Sequence, residues 1–383
     1  MAPPTTLLTG VLLGLGLGLL LGLLLRRLAR LARRRLSLTT ACDEVHWPVT
    51  SDGWRLALYR YRPRRPEPGA PVILCHGLGA NRFNLDFGAE RSLARHLAEA
   101  GFDVFVLELR GAGRSRQLPT GAPREDGFDA HVQKDAPAAL RWIERVTGHR
   151  RVLWVGHSMG GMIGYALAGG AKAGRLAGLV AIGSPAVFGS PPRLFHVAAR
   201  LTRALLRCVR PGRGLFRGLA PLVGWVRLPG ERLIYNPAQL EGAVARRALY
   251  NLVEWALPGQ LTDFLRWMAS GRFDSRDGAV DYLGALARAE VPALFIAGAA
   301  DALAPPSAIR PAYEALGCRD KRYLVLGGHD GDEGAGLDFG HGDLLLGRHA
   351  PAVVYPQVAA WLRAHSEGPA RGEAPYRRQA DGP

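Results

Sequence analysis

Short apolar runs alternate with amphipathic stretches along most of the chain. Apolar runs of about four to eight residues are typical of buried strands, and apolar positions three or four residues apart are typical of helices. We predict strands at 45–49, 54–61, 72–75, 102–109, 152–156, 179–182, 293–297 and 323–326, and helices at 91–100, 132–146, 159–168 and 350–364. Strands that alternate with helices form parallel sheets covered on both faces, so the pattern predicts an α/β fold with a mostly parallel sheet flanked by helices.

The strand pattern stops between residues 186 and 290, where the apolar positions follow a helical period instead. We therefore predict a core in two parts, residues 43–185 and residues 291–365, with a helical cap inserted at 186–290. Residues 366–383 are rich in Pro, Gly and Arg, a composition that predicts a disordered tail.

The N-terminal segment 7–25 contains only Leu, Gly, Val and Thr. A helix of this length spans roughly the hydrocarbon core of a bilayer. Basic residues are absent before the run, whereas six arginines follow it within residues 26–35, which is the reverse of a cleavable signal peptide. We predict that residues 1–36 form an uncleaved, single-pass membrane anchor with an Arg-rich flank, and that the globular part faces the cytoplasm. A signal peptide remains the alternative.

Four glycines of this segment recur at every fourth position: Gly10, Gly14, Gly18 and Gly22. They would share one helix face, where two backbones could approach closely and form a homodimer. Low-complexity Leu/Gly sequence produces the same spacing by accident, so both interpretations stay open.

The formal net charge is +16, and almost all of the basic residues are arginines. This surplus suits either nucleic acid or an anionic membrane surface. The apolar N-terminal segment favours the membrane, so we expect no nucleic-acid partner. The four cysteines lie far apart, which excludes a disulfide scaffold and a cysteine-rich zinc fold. We expect no cofactor and no metal, because the acidic cluster at 330–333 does not complete a calcium loop.

The pentapeptide Gly156-His157-Ser158-Met159-Gly160 has the pattern G-x-S-x-G. The pattern alone is weak in a chain with 49 glycines, but a buried strand precedes it and a helix of small residues follows it. A sharp strand-to-helix turn lifts the serine above the carboxyl edge of the sheet and aims a helix N-terminus at developing negative charge. Ser158 is therefore the candidate nucleophile.

A serine nucleophile needs a base and an acid that orients the base, in the chain order Ser, Asp, His. Asp301 follows the 293–297 strand, where a carboxylate faces the active edge. His329 and His341 both follow the last strand and are both candidates for the base. The two oxyanion donors would be the backbone N–H groups of Met159 and Leu78.

These segments together resemble the α/β-hydrolase superfamily over residues 45–364. Within it, the chain is similar to the acid lipase and cholesteryl ester hydrolase type, and to bacterial esterases and monoacylglycerol lipases. The segments that carry the similarity are Thr50-Ser51-Asp52-Gly53-Trp54, His76-Gly77-Leu78, Lys134-Asp135-Ala136-Pro137, Val155-Gly156-His157-Ser158 and Gly340-His341-Gly342-Asp343. The resemblance implies a Ser158, Asp301 and His341 triad, ester hydrolysis, and a cap over the acyl pocket. Two departures are Met159, where those lipases commonly have Gln, and the anchor-like N-terminus.

The sequence thus predicts a serine hydrolase that cleaves carboxylic esters, of lipid-like or acyl type, through an acyl-enzyme. An acyltransferase or a serine peptidase would use the same first step, so both remain alternatives. A non-catalytic scaffold at the membrane is the third, although all three triad positions are filled.

Overall fold

The computed structural model describes residues 19, 20, 22–24, 26–66, 69–119, 125–189, 214–225, 230–328 and 336–366. Several predictions lie outside these residues: most of the 7–25 segment with Gly10, Gly14 and Gly18, part of the cap, His329, the acidic cluster at 330–333, and the tail. Within the described residues, no helix combines the length and the apolar character needed to cross a bilayer.

The core is an eight-stranded sheet with the spatial order β1-β3-β5-β4-β7-β8-β9-β10. The strands are β1 Glu44–His46, β2 Trp54–Arg55, β3 Ala57–Tyr61, β4 Val72–Cys75, β5 Val104–Glu108, β6 Arg116–Gln117, β7 Val152–His157, β8 Leu176–Ile182, β9 Ala293–Gly298 and β10 Lys321–Leu326. Strands β1 and β3 pair antiparallel, as do β3 and β5, and every pair from β5 to β10 is parallel. The predicted mostly parallel sheet is confirmed.

Helices cover the sheet, and helices also form the region between β8 and β9, which we call the inserted region or cap. They are α1 Leu93–Glu99, α2 Ala136–Thr147, α3 Met159–Ala168, α4 Gly214–Leu219, α5 Glu231–Ile234, α6 Gly242–Asn251, α7 Pro258–Ser270, α8 Tyr282–Ala285, α9 Pro306–Ala315, α10 Asp343–Leu346 and α11 Ala350–Ala364. A π-helical turn, His131–Asp135, precedes α2. An α-helical turn, Phe128–Ala130, comes before the π-helical turn, so helical structure begins at residue 128, ahead of the predicted residue 132. Pro137 has no N–H for a helical bond and lies in the first turn of α2.

Alternate residues of the central strands point to opposite faces of the sheet. Ile73 and Cys75 of β4 pack in the cluster with α2 and α3, whereas Val72 and Leu74 pack in the cluster with α1 and α11. This period of two is what buries a strand on both faces. The two helical layers therefore fix the sheet rigidly, and its carboxyl edge can hold side chains in fixed positions.

Several predicted strand boundaries differ from the observed ones, and two of these differences have an identifiable structural cause. The strand predicted at 54–61 divides at Leu56, whose N–H donates to the Pro48 carbonyl (2.8 Å), so that β2 pairs with β6 and β3 pairs with β1. Strand β8 begins at Leu176 instead of residue 179. Gly178 interrupts the apolar run, because a Cβ there would collide with the ring of Trp361 in α11.

Candidate active site

Ser158 is the single residue between strand β7 and helix α3. Its φ of +53° and ψ of −123° lie outside the regions that L residues favour, as a strained nucleophile elbow requires. The Ser158 N–H donates to the carbonyl of Ile182, the last residue of β8 (2.8 Å). The serine therefore lies at the carboxyl edge of the sheet, where its side chain is only partly buried.

Two glycines make this turn sterically feasible. A Cβ at Gly156 would collide with the backbone of Gly160 and Gly161, and a Cβ at Gly160 would collide with the carbonyl of Cys75 in β4. Side chains at these two positions would push α3 away from the sheet. The G-x-S-x-G pattern is thus a packing requirement of the turn as well as a sequence motif.

Asp301 lies in the loop that follows β9 and is 2% exposed. Its Oδ1 accepts hydrogen bonds from the backbone N–H groups of Leu303 (2.9 Å) and Ala304 (2.7 Å). These two bonds fix the plane of the carboxylate. Its second oxygen, Oδ2, lies 2.8 Å from Nδ1 of His341. The structure thus brings Asp301 and His341 together, in the arrangement in which a carboxylate orients an imidazole.

The Asp301–His341 pair lies beside the end of β8, next to the serine. A Cβ placed on Gly183 would lie 3.4 Å from both Asp301 Oδ2 and His341 Nδ1. Gly183 directly follows Ile182, the residue that binds the Ser158 N–H. In the described part of the chain, no hydrogen bond joins the Ser158 hydroxyl to the His341 ring, so the two share the edge without a direct bond. Such contacts often form only when substrate is bound.

The loop after β4 flanks Ser158 from the other side. A Cβ on Gly77 would lie 3.0 Å from the Ser158 Cβ. Leu78, whose N–H is a predicted oxyanion donor, comes next in this loop and is partly buried. Met159, the other predicted donor, is the first residue of α3, where backbone N–H groups have no partner within the helix. Both residues therefore border the serine.

Two buried histidines lie beside the site. His76 Nε2 accepts the Leu109 N–H (3.1 Å), which ties the ends of β4 and β5 together. His157 precedes the serine, and its ring stacks at a tilt on His341 with centroids 4.8 Å apart. Burial lowers the pKa of His76 to about 4 and, with the nearby His341, that of His157 to about 3. Both rings are therefore neutral near pH 7.

Sequence reasoning missed the role of His157 in this arrangement. Its Nδ1 lies 3.0 Å from Oδ1 of Asn84, and its Nε2 lies 3.1 Å from the carbonyl oxygen of His341. Asn84 in turn accepts the N–H of Gly77 (3.3 Å). The ring thus lies between the loop after β4 and the backbone of His341. As a neutral imidazole it has one N–H, which donates to one of these two oxygens. No local sequence pattern marks these contacts, because Asn84 lies 73 positions before His157 and His341 lies 184 positions after it.

The inserted region covers this edge of the sheet. The Glu254 N–H donates to the Gly79 carbonyl (2.8 Å), and its carboxylate accepts the Gly113 N–H and the Asn81 amide (both 3.0 Å). A small cavity lies between the two parts of the molecule. Its lining includes His76, Gly77, Met159, Glu254, Trp255 and Leu257. The inserted region therefore closes over the residues that border Ser158.

Comparison with known proteins gives a family match over most of the core. The family model for the alpha/beta hydrolase fold matches residues 70–330. Human lysosomal acid lipase/cholesteryl ester hydrolase is 37% identical over 134 residues, which cover 32% of this chain and 34% of that protein. Gastric triacylglycerol lipase from Rattus norvegicus is 34% identical over 135 residues, with 32% and 34% covered. The chain thus matches about a third of the length of these curated relatives.

Solved structures show the same fold over a larger share of the chain. An esterase from Thermogutta terrifontis is similar with a TM-score of 0.55 and 19% identity, covering 85% of this chain and all of that one. A monoacylglycerol lipase from Paleococcus ferrophilus is similar with a TM-score of 0.52 and 19% identity, covering 81% and 99%. The resemblance that the sequence motifs indicate is therefore confirmed.

Proposed function

Because the chain belongs to the α/β-hydrolase fold family, we propose that it is a serine hydrolase that cleaves carboxylic esters. The observation that carries this proposal is the buried Asp301–His341 pair, 2.8 Å apart, at the edge where the strained Ser158 turn ends β7. Backbone strain of this kind is stored at functional sites.

In the proposed mechanism, His341 takes the hydroxyl proton of Ser158 on Nε2 while the serine oxygen bonds to the ester carbonyl carbon. Asp301 accepts the Nδ1–H and stabilises the imidazolium. The oxyanion binds the N–H groups of Met159 and Leu78. When the carbon–oxygen bond to the alcohol breaks, His341 returns the proton to the leaving group. Water then attacks the acyl-enzyme with His341 as base, which releases the acid and restores the serine.

The proposed substrate class is a lipid-like or acyl ester. Relatives that are lipases support it, as do the apolar and aromatic side chains that the inserted region contributes to the cavity, Trp255 and Leu257. We further propose that residues 1–36 attach the enzyme to a membrane, with the catalytic part in the cytoplasm. The apolar 7–25 segment and the arginines after it support that proposal.

The direct test is turnover of p-nitrophenyl butyrate by the full chain and by its Ser158→Ala variant. Loss of the nucleophile removes the covalent route, so we expect kcat to fall by roughly 10⁴-fold or more, with an unchanged circular dichroism spectrum. Ser184→Ala is the matched control, because Ser184 lies just past the end of the neighbouring strand β8 and is fully buried. Undiminished turnover in Ser158→Ala would refute the proposal. Added alcohol acceptors would reveal acyl transfer through ester products.

A further inference from the structure

One segment of the inserted region is bound directly to the turn that carries His341. We call residues 234–239 the cap strap. The Gly342 N–H donates to the Ile234 carbonyl (2.7 Å), and the Arg348 N–H donates to the Gln239 carbonyl (2.9 Å). The strap therefore binds the chain on the C-terminal side of His341 through main-chain hydrogen bonds.

Side chains of the strap bind the N-terminal side of the same turn. Asn236 donates its Nδ2–H to the carbonyl of Asp338 (2.7 Å), and Gln239 donates its Nε2–H to the carbonyl of Leu337. The contact is close, since a Cβ on Gly340 would lie 2.9 Å from the Asn236 nitrogen. The backbone on both sides of His341 is thus supported by a part of the chain about a hundred residues earlier.

Asp343 joins the two segments through one carboxylate. Its Oδ2 accepts the N–H of Gly340 (2.7 Å), and its Oδ1 accepts the N–H of Asn236 (2.9 Å). The side chain is fully buried. In the described part of the chain it has no ion-pair partner, so backbone N–H groups alone satisfy it. A buried carboxylate without a cation is costly for stability, which indicates that its contribution is geometric.

Burial raises the pKa of this carboxyl, in line with that cost. The His341 ring is oriented by Asp301, whereas the position of its backbone depends on the Gly340–Asn236 bridge. A rotation of that backbone would move Nε2 away from the serine even with the Asp301 bond intact. Displacements of about 1 Å at a reacting group can cost roughly a hundredfold in rate.

We propose that Asp343 is a positioning residue for His341. Through Asp343, the cap strap helps to hold the backbone on both sides of His341 in place. This inference rests on the proposed function of His341 as the base. The cap would then influence the rate of acylation through the position of His341, in addition to covering the site.

The test is the rate of phosphonylation of Ser158 by an alkyl fluorophosphonate, followed by intact mass. In this reaction the serine oxygen bonds to phosphorus, fluoride leaves, and His341 takes the proton. We compare the full chain with Asp343→Asn, which keeps the size of the side chain but loses one acceptor oxygen. The control is Asp263→Asn. Asp263 is also a buried carboxylate between cap and core; it accepts the Phe128 N–H (2.8 Å) and, unlike Asp343, pairs with an arginine, Arg276 (2.9 Å).

We expect Asp343→Asn to slow phosphonylation roughly 100-fold while the final labelled fraction stays as in the wild type. Asp263→Asn should react within about twofold of the wild-type rate. A residue that only stabilises the fold would instead lower the labelled fraction and leave the rate constant unchanged. A wild-type rate in Asp343→Asn, or equal slowing in both variants, would overturn the inference.

If Asp343→Asn does not fold, Asn236→Ala provides a second variant, because it removes the bond to the Asp338 carbonyl and leaves Asp343 intact. A severalfold slower rate constant supports the inference, and an unchanged one overturns it. Failure of the proposed function gives a different result. In that case the wild type itself is not labelled at Ser158, whatever the state of Asp343.

Discussion

The carboxyl edge of the sheet and the cap are held by different kinds of interaction. At the edge, the Asp301 carboxylate is fixed by backbone N–H groups two and three residues later. Ser158 is fixed by a tight turn in which Gly156 and Gly160 leave no room for a side chain. The cap is fixed by polar bonds between distant residues, such as Glu254 with Gly113, 141 positions away. Local backbone geometry therefore places Ser158 and Asp301, whereas long-range polar pairs place the cap and support the backbone beside His341. Substitutions in the two regions should have different effects.

The largest effect in this comparison is expected from Asp301→Asn. The amide would keep an oxygen toward Leu303 and Ala304 and would present its NH₂ group to His341 Nδ1. The imidazole would then carry its proton on Nε2 and could not accept one from Ser158. We expect kcat to fall roughly 10⁴-fold with the melting temperature nearly unchanged. Turnover of p-nitrophenyl butyrate measures it, and a loss below tenfold would show that Asp301 does not orient the base.

An effect on folding is expected from Gly160→Ala. The new methyl group would collide with the Cys75 carbonyl, so the start of α3 must move away from β4. We expect the free energy of unfolding to fall by about 3 kcal/mol, measured by urea denaturation. Gly174→Ala is the control, since a Cβ there meets no atom within 4 Å. Equal stability of the two variants would mean that the elbow is not tightly packed.

The smallest effect concerns pH and the cap side of the site. Burial raises the pKa of Asp343 above its value in the unfolded chain, so the folded protein retains a proton that the unfolded chain releases. The stability contributed by this group is present below about pH 4 and is lost as the pH rises through the folded-state pKa. The melting temperature of the wild type relative to Asp343→Asn should therefore decrease between acidic and neutral pH. A difference that grows with pH would contradict the sign.

The sequence predicted the edge better than the cap, for the same physical reason. Ser158 lies in a local glycine pattern, and Asp301 is an acidic residue just past a buried strand, so a few neighbouring residues identify each. Neighbouring residues did not identify His341 as the base, because His329 follows the same strand and only the family resemblance favoured His341. The bridge from Asp343 to Asn236 had no local signal, since its partners are 107 positions apart.

Boundaries failed where packing overrides the local pattern. Gly178 lies inside β8 because Trp361 of α11 leaves no room for a side chain, a contact that the neighbouring residues do not encode. Leu56 divides the predicted strand 54–61 because its N–H binds the Pro48 carbonyl and not the adjacent strand. In both cases the deciding partner is outside the window from which a strand is predicted.

The central claim is that Ser158 and His341 act as one catalytic unit. The most direct measurement is kcat/KM for p-nitrophenyl butyrate in Ser158→Ala, His341→Ala and the double variant. Residues that act as a unit are strongly non-additive, so the double variant should be no slower than Ser158→Ala alone. If the two losses multiply instead, the serine and the histidine contribute independently, and the proposed mechanism is wrong.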